Sequence, residues 1–303
     1  MRGLDYQWLE ALDAIVQHGG FDKGAQALFI TQSAISQRIK QLEKWLAQPV
    51  LIRETPPKPT AIGRHLLGFY RRVQLMESEL LPTLTPNGED EPLPVAIATN
   101  ADSLATWLLP ALAPVLQEGR ILLNLMIDDE SRTLKRVRSG EVIAAISSEP
   151  IPLAGCISDK LGTLEYLCVA APHFINRYFH DGIDPHSLTR APAIVFDQHD
   201  DMHADFLAQH FTLPSVSWPR HVVRSSEAFI ALATQGVAYC LIPEVMIQQE
   251  LQTGMLVNLM PGKSVKRTLY CIAGHSKAVY WLKSLSNALS MLGWFWHNNA
   301  MKI

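Results

Sequence analysis

The chain has 303 residues but only four cysteines, Cys156, Cys168, Cys240 and Cys271, and no two of them form a CxxC pair. That spacing excludes the common zinc and thiol-exchange motifs. Cys168 and Cys240 lie in apolar, strand-like runs, where cysteine serves as a small buried hydrophobe in a reducing compartment. Long apolar runs are missing too. Trp107 to Leu116 and Ile143 to Ile146 are too short or too interrupted to span a bilayer, so no membrane partner is expected. The N-terminal MRGLDYQWLE carries Asp5 and no apolar stretch to direct secretion, and a cytoplasmic protein is expected. No GxSxG, Walker A or GxGxxG motif is present, so nothing points to an enzyme or a catalytic cofactor. His199 and His203, with Asp200, Asp201 and Asp205, can be drawn as a metal-dependent site. No third ligand stands at a recognisable spacing, so no metal is expected.

Charge of one sign is scarce overall, with a net of −3, which argues against a nucleic-acid partner. The average hides a local excess. Ile30 to Met76 holds eight basic residues against two acids, whereas Glu91 onward holds 16 Lys and Arg against 19 Asp and Glu. A basic segment on a mildly acidic remainder fits a nucleic-acid-binding part joined to something else.

Asp5 to Gly19 reads as a helix with Leu9, Leu12, Ile15 and Val16 inward, stopped by Gly19-Gly20. Phe21 to Phe29 is a second, short helix whose Gly24, Ala25 and Ala27 permit close approach. Thr31 can cap a third helix with Ile35, Ile39, Leu42 and Leu46 on one face. This is the helix-turn-helix layout, in which the start of the third helix enters the major groove. Gln32, Ser33, Ser36 and Gln37 are the right types there, amides for adenine edges and hydroxyls for bases or phosphates. Lys40 can reach a phosphate as the helix leaves the groove. PVLIRETPPKPT, Pro49 to Thr60, is a strand-like piece and then a stiff loop, and its Arg53 and Lys58 suit a wing along the DNA backbone. A plain three-helix domain with a loop accounts for the spacing equally well.

From Ile62 the apolar positions run Ile62, Leu66, Phe69, Val73, Met76 and Leu80, a period of 3.5 that a lone globular helix does not need. It predicts a linker helix that pairs with its copy in a second subunit and so supplies two recognition helices. TPNGEDE, Thr85 to Glu91, is a hinge by composition. Beyond it, Leu93 to Thr99 and Ile121 to Ile127 read as strands around a helix from Asp102 to Gln117, followed by a helix to Ser139 and a strand from Val142 to Ser147. The order repeats in the stretches from Ala193 to Gly254. Two α/β lobes with a cleft between them follow, and ligands settle outside the carboxyl ends of such strands.

AxxLxxTQSAISQRIKQLE, Ala25 to Glu43, closely resembles the winged helix-turn-helix of LysR-type transcriptional regulators. The family's continuation is matched by Leu46, Leu51-Ile52, Arg53, Pro59-Thr60 and Gly63. ITQSAISQRIKQLE, RETPPKPT and NADSLATWLLPALAPVL, Asn100 to Leu116, resemble its lysine- and arginine-responsive subgroup, and the resemblance covers essentially the full chain. Ala47 stands where the family usually has glycine, which implies a less strained turn. Pro56 replaces the second wing arginine, Lys58 is the nearest substitute, and Glu54 is an unexpected acid.

The resemblance implies a winged helix-turn-helix over 1–60, a linker helix and hinge over 61–91, and an effector domain of two α/β lobes over 92–303, similar to periplasmic binding proteins. It implies operator half-sites on double-stranded DNA, a homodimer or tetramer, RNA polymerase as a partner and a small effector, lysine or arginine. Four junctions would hold that effector. Asn100, Asp102 and Ser103 at one helix start, with Ser225 and Ser226 at another, offer a carboxylate seat. Asp128, Asp129 and Glu130, with Phe196, His199 and Asp200, bring acids to meet a side-chain cation, and Ser147 ends a neighbouring strand. As residues alone these are also ordinary helix caps and dipole partners; the resemblance favours the ligand. An amino-acid-binding module without DNA function is the other reading, and it leaves the basic N-terminal segment unexplained.

Overall fold

Asp5 opens the first helix. In the computed structural model, which describes residues 3–84, 92–119, 121–129, 132–152, 155–198, 200–211 and 218–274, its carboxylate accepts the Gln7 N–H at 2.9 Å. That bond satisfies one of the donors every helix start leaves free. Helix α1, Tyr6–His18, ends at Gly19, whose φ of 72° is left-handed and suits a residue without a Cβ. Helix α2, Phe21–Ala27, crosses α1 so closely that a Cβ on Gly24 would lie 3.0 Å from the Ile15 nitrogen. Helix α3, Gln32–Leu46, starts where the Thr31 hydroxyl accepts the Ala34 N–H at 3.2 Å. Ile35, Ile39 and Leu42 then bury against Leu12 and Ile15 of α1.

The turn after α3 overturns one expectation. Ala47 caps the helix at φ 54° and ψ 27°, so the missing glycine does not relax the turn: alanine carries its Cβ into the left-handed region and holds strain there. Strands β1, Leu51–Ile52, and β2, Lys58–Pro59, pair antiparallel around the proline-rich loop as a short wing. Helix α4, Ala61–Leu84, follows directly. It sends Leu67 into the core of the three helices, packs Tyr70 against Tyr6 with ring centroids 4.8 Å apart and planes tilted by 53°, and extends Arg71 to the buried Asp13 at 3.0 Å. Phe69 and Met76, on the stripe of period 3.5, stay exposed at 45% and 53%. The hinge expected over 85–91 lies outside the described residues.

The remainder is a single mixed sheet with helices around it. Strand β3, Leu93–Thr99, leads into α5, Ala101–Ser103, which continues through one wide π-type turn, Leu104–Leu108, into α6, Leu109–Gln117. Strand β4, Ile121–Ile127, helix α7, Thr133–Arg138, and strand β5, Ala144–Ser147, complete a parallel set ordered β4-β3-β5. The long β6, Cys156–Ala170, then crosses the sheet. Helices α8, Pro172–Tyr178, and α9, Pro185–Arg190, precede β7, Ala193–Val195, α10, Met202–His210, β8, Arg220–Val222, α11, Ser226–Thr234, and β9, Tyr239–Pro243. Strands β8, β7 and β9 form the second parallel set. Helix α12, Gln248–Gln252, and the short β10, Val257–Asn258, lead to β11, Val265–Gly274, which returns between β5 and β6. The two lobes therefore share one nine-stranded sheet, joined through the antiparallel β11 and β6. Among the described residues no helix is long and apolar enough to cross a membrane.

Candidate functional site

The first face is built by α3 and the wing. Gln32, Ser33, Gln37 and Lys40 are exposed and Ser36 is half-buried, because the same helix turns Ile35, Ile39 and Leu42 inward. Ser33 shares a hydrogen bond with the capping Thr31 at 3.0 Å, which fixes its hydroxyl at the helix start. Arg38, by contrast, turns back to Glu10 at 3.3 Å. On the wing Arg53 is exposed, and the Lys58 ammonium lies 2.9 Å from Glu54. Glu43, an acid in a basic segment, has a structural role, since its carboxylate accepts the Val50 N–H at 3.0 Å and ties α3 to the wing.

The second site is a cleft at the carboxyl ends of the parallel strands, enclosing about 540 Å³ out to its open mouth. Asn100 and Asp102 after β3, Asp128 and Asp129 after β4, Phe196 and Asp200 after β7, and Ser226 at the start of α11 all line it. Asp102 bridges the lobes. Its carboxylate accepts the Tyr166 hydroxyl and the Ser226 hydroxyl, each at 2.6 Å. Burial pushes its carboxyl up, the two hydroxyls pull it down, and the charges of Asp200 and Asp129 push it up again. Asp200 accepts the Phe196 and Met202 N–H groups at 2.9 and 3.1 Å, yet burial raises it as well, with Asp129 and Asp197 adding to the rise. Asn100 is only 3% exposed, and among the described residues neither polar atom of its amide has a hydrogen-bond partner. Leaving such a group unpaired costs stability, and an ordered water or a ligand would relieve that cost.

Not every expected residue reaches the cleft. Ser103 is fully buried and does not line the cleft, and its hydroxyl has no hydrogen-bond partner among the described residues. Ser147 is also fully buried and accepts the Glu149 N–H at 3.1 Å. Ser225 accepts the Ala228 N–H at 3.2 Å as the cap of α11 and donates to Glu227. Asp128 lines the cleft with its charge already offset, 3.0 Å from Arg136 and 3.5 Å from Arg132. Glu130 and His199 lie outside the described residues. His203 lines the cleft, and its Nε2 lies 3.1 Å from the Tyr239 hydroxyl; burial lowers its pKa to about 4, so it is neutral at ordinary pH. Among the described residues no group of three or more His, Cys, Asp or Glu is arranged to hold a metal ion.

Sequence reasoning missed Tyr166, Ile194, Phe229 and Leu241, which give the cleft its apolar wall. Tyr166 comes from the crossing strand β6, and no motif marks it. The chemistry that results is two carboxyls, Asp102 and Asp200, raised chiefly by burial and further by the charge of Asp129, beside the Asn100 amide and within apolar walls. That environment favours a ligand carrying positive charge together with groups that can donate and accept hydrogen bonds.

Residues 6–64 match the bacterial regulatory helix-turn-helix proteins of the lysR family, and residues 91–282 match the LysR substrate binding domain. The chain is similar to the HTH-type transcriptional regulator ArgP of Photobacterium profundum, with 58% identity covering 89% of this chain and 91% of that one. The regulator of the same name from Vibrio cholerae is 56% identical over 86% and 88% of the two chains. Among solved structures it resembles ArgP from Mycobacterium tuberculosis, with a TM-score of 0.84 and 30% identity over 95% and 98% of the chains. Full-length LysG from Corynebacterium glutamicum with bound effector Arg gives 0.76 and 29% over 95% and 99%. Matched in both halves and over nearly its whole length, the chain belongs to the LysR family of DNA-binding transcriptional regulators.

Proposed function

We propose that this regulator responds to a basic amino acid, arginine or lysine, held in the cleft between its lobes. The observation that carries the reading is the carboxylate set Asp102, Asp129 and Asp200, in which mutual repulsion adds to burial in raising Asp102 and Asp200. A guanidinium or ammonium relieves that repulsion, and no neutral side chain does so. The Asn100 amide can serve the amino acid's own ammonium or carboxylate. The similar LysG structure, which has arginine bound, supports the same ligand class. A dimer paired along α4 through Phe69 and Met76 would then present two recognition helices to two half-sites, with Gln32, Ser33, Ser36 and Gln37 reading bases and Lys40, Arg53 and Lys58 meeting phosphates.

Calorimetric titration of the full chain with each of the twenty amino acids tests the effector. Arginine or lysine is expected to bind, with norleucine, as a neutral analogue, far weaker. Asp200→Asn should weaken the basic ligand about 10- to 150-fold, the loss of one charge-assisted hydrogen bond. A neutral amino acid that binds as tightly as arginine would overturn the reading.

A further inference from the structure

The geometry points to a glycine-to-glycine key between the linker helix and the first lobe, through which the state of the cleft reaches the DNA-binding half. On α4, Gly68 faces Gly140, the residue after α7 and its cap. A methyl carbon built on Gly68 would lie 2.4 Å from the Gly140 Cα, and one built on Gly140 would lie 1.8 Å from the Gly68 Cα. Backbone meets backbone there, so any added carbon must push the two elements apart. Glycine inside a helix lowers its stability relative to alanine, and Gly68 lies well inside α4. The contact is the evident reason for a small residue at that position.

Gly140 is tied to the cleft by one side chain. Arg136 donates from Nε to the cleft-lining Asp128 at 3.0 Å and from its other end to Glu141 at 2.8 Å. Glu141 also accepts the Ser139 hydroxyl at 2.9 Å, and its N–H returns to the Arg136 carbonyl at 2.9 Å. The turn 139–141 is thus held by the guanidinium that neutralises an acid of the ligand site. On the far side of the key, the residues next to Gly68 belong to the DNA-binding half: Leu67 in its core, Tyr70 against Tyr6, and Arg71 on Asp13. A cation entering the cleft competes with Arg136 for Asp128. Any resulting movement of the 139–141 turn must move α4, because packed backbone has no slack to absorb it. This inference takes the cationic effector from the proposed function; the key itself rests on the contacts alone.

The test is the affinity of the full chain for a labelled duplex of its own upstream region, followed by fluorescence anisotropy with and without saturating arginine. The wild-type chain is expected to change duplex affinity by about 5- to 150-fold on adding arginine, the usual range of coupling between sites. Gly68→Ala should reduce that change to within about twofold, with calorimetric arginine affinity of the free protein unchanged. Glu141→Gln, which releases the turn without adding an atom near α4, should act in the same direction and covers the case in which Gly68→Ala does not fold. Asp128→Asn cuts the tie to Arg136 with no ligand present. It should shift duplex affinity in the wild-type background and much less in the Gly68→Ala or Glu141→Gln background. Equal shifts in every background would overturn the key. Arginine that fails to bind the wild-type chain would overturn the proposed effector alone, since the Asp128→Asn comparison needs no ligand.

Discussion

Ala47 carries a left-handed backbone that glycine would adopt without penalty. Ala47→Gly should therefore stabilise the DNA-binding half by about 0.5–1 kcal/mol, the left-handed penalty of about 1–2 kcal/mol less the entropy lost by glycine. A higher melting temperature in scanning calorimetry is the expected result; a lower one would show that the turn is not strained. On the recognition helix, Gln37→Ala should lower discrimination between operator and random duplex by about 1–3 kcal/mol if the amide reads a base edge. Equal weakening on both duplexes assigns Gln37 to the phosphates. The exposed Lys58–Glu54 pair adds little to stability, yet it holds a carboxylate close to where the backbone of the DNA would run. Glu54→Gln should tighten binding to every duplex, most clearly at low salt. An unchanged salt titration would remove the wing from the interface.

The elements that could be read in the sequence were those whose periodicity matched a single environment. Helices α1 and α3 and strands β3 and β9 each bury one face or both, β4 half-buries its alternate residues, and spacing locates all five to within a residue or two. Strands β6 and β11 escaped that reading. Strand β6 runs past both lobes, so Asp159, Lys160 and Gly162 interrupt its apolar pattern where its surroundings change. The cleft was legible where it is made by strand-to-helix junctions, at Asn100, Asp102, Asp129 and Asp200. It was not where it is made by the crossing strand or by apolar walls, since Tyr166 and Leu241 look like ordinary core. Helix α4 yields a prediction of its own. Phe69→Glu places like charges against each other in a paired seam, so the chain should fall to monomers in light scattering at low micromolar concentration, with the mixed sheet still folded. An unchanged mass would show that pairing lies elsewhere.

For the whole molecule, acid should act through opposing groups. His203 has a pKa of about 4 in the folded chain, below the unfolded value, so its contribution is present above about pH 6.5 and is lost as pH falls toward 4. Asp102 and Asp200 are raised in the folded chain and act the other way, losing stability as pH rises through their raised values. His203→Gln removes the first group alone. Relative to this variant, the wild-type chain should lose about 2 kcal/mol between pH 7 and pH 5 in urea unfolding. Parallel pH curves for the two would mean that His203 already titrates normally. Ligand binding draws on the same carboxyls: a cation that lowers them releases protons, so arginine affinity should climb as pH rises through their raised values.

The return of β11 between β5 and β6 has a consequence for how the protein is made. The ribosome delivers the three helices, the wing and the linker helix first, and their core closes without help from later residues. The sheet cannot close at the same stage, because Tyr270 to Ala273 must pair with Ser147 to Ala144, laid down more than a hundred residues earlier. Until then β5 and β6 present open edges. A message cut short by a stop codon before Val265 would therefore yield a DNA-binding half attached to an incomplete sheet, prone to aggregation and proteolysis. The cell would hold a reader of operators from which the means of hearing the effector had been removed.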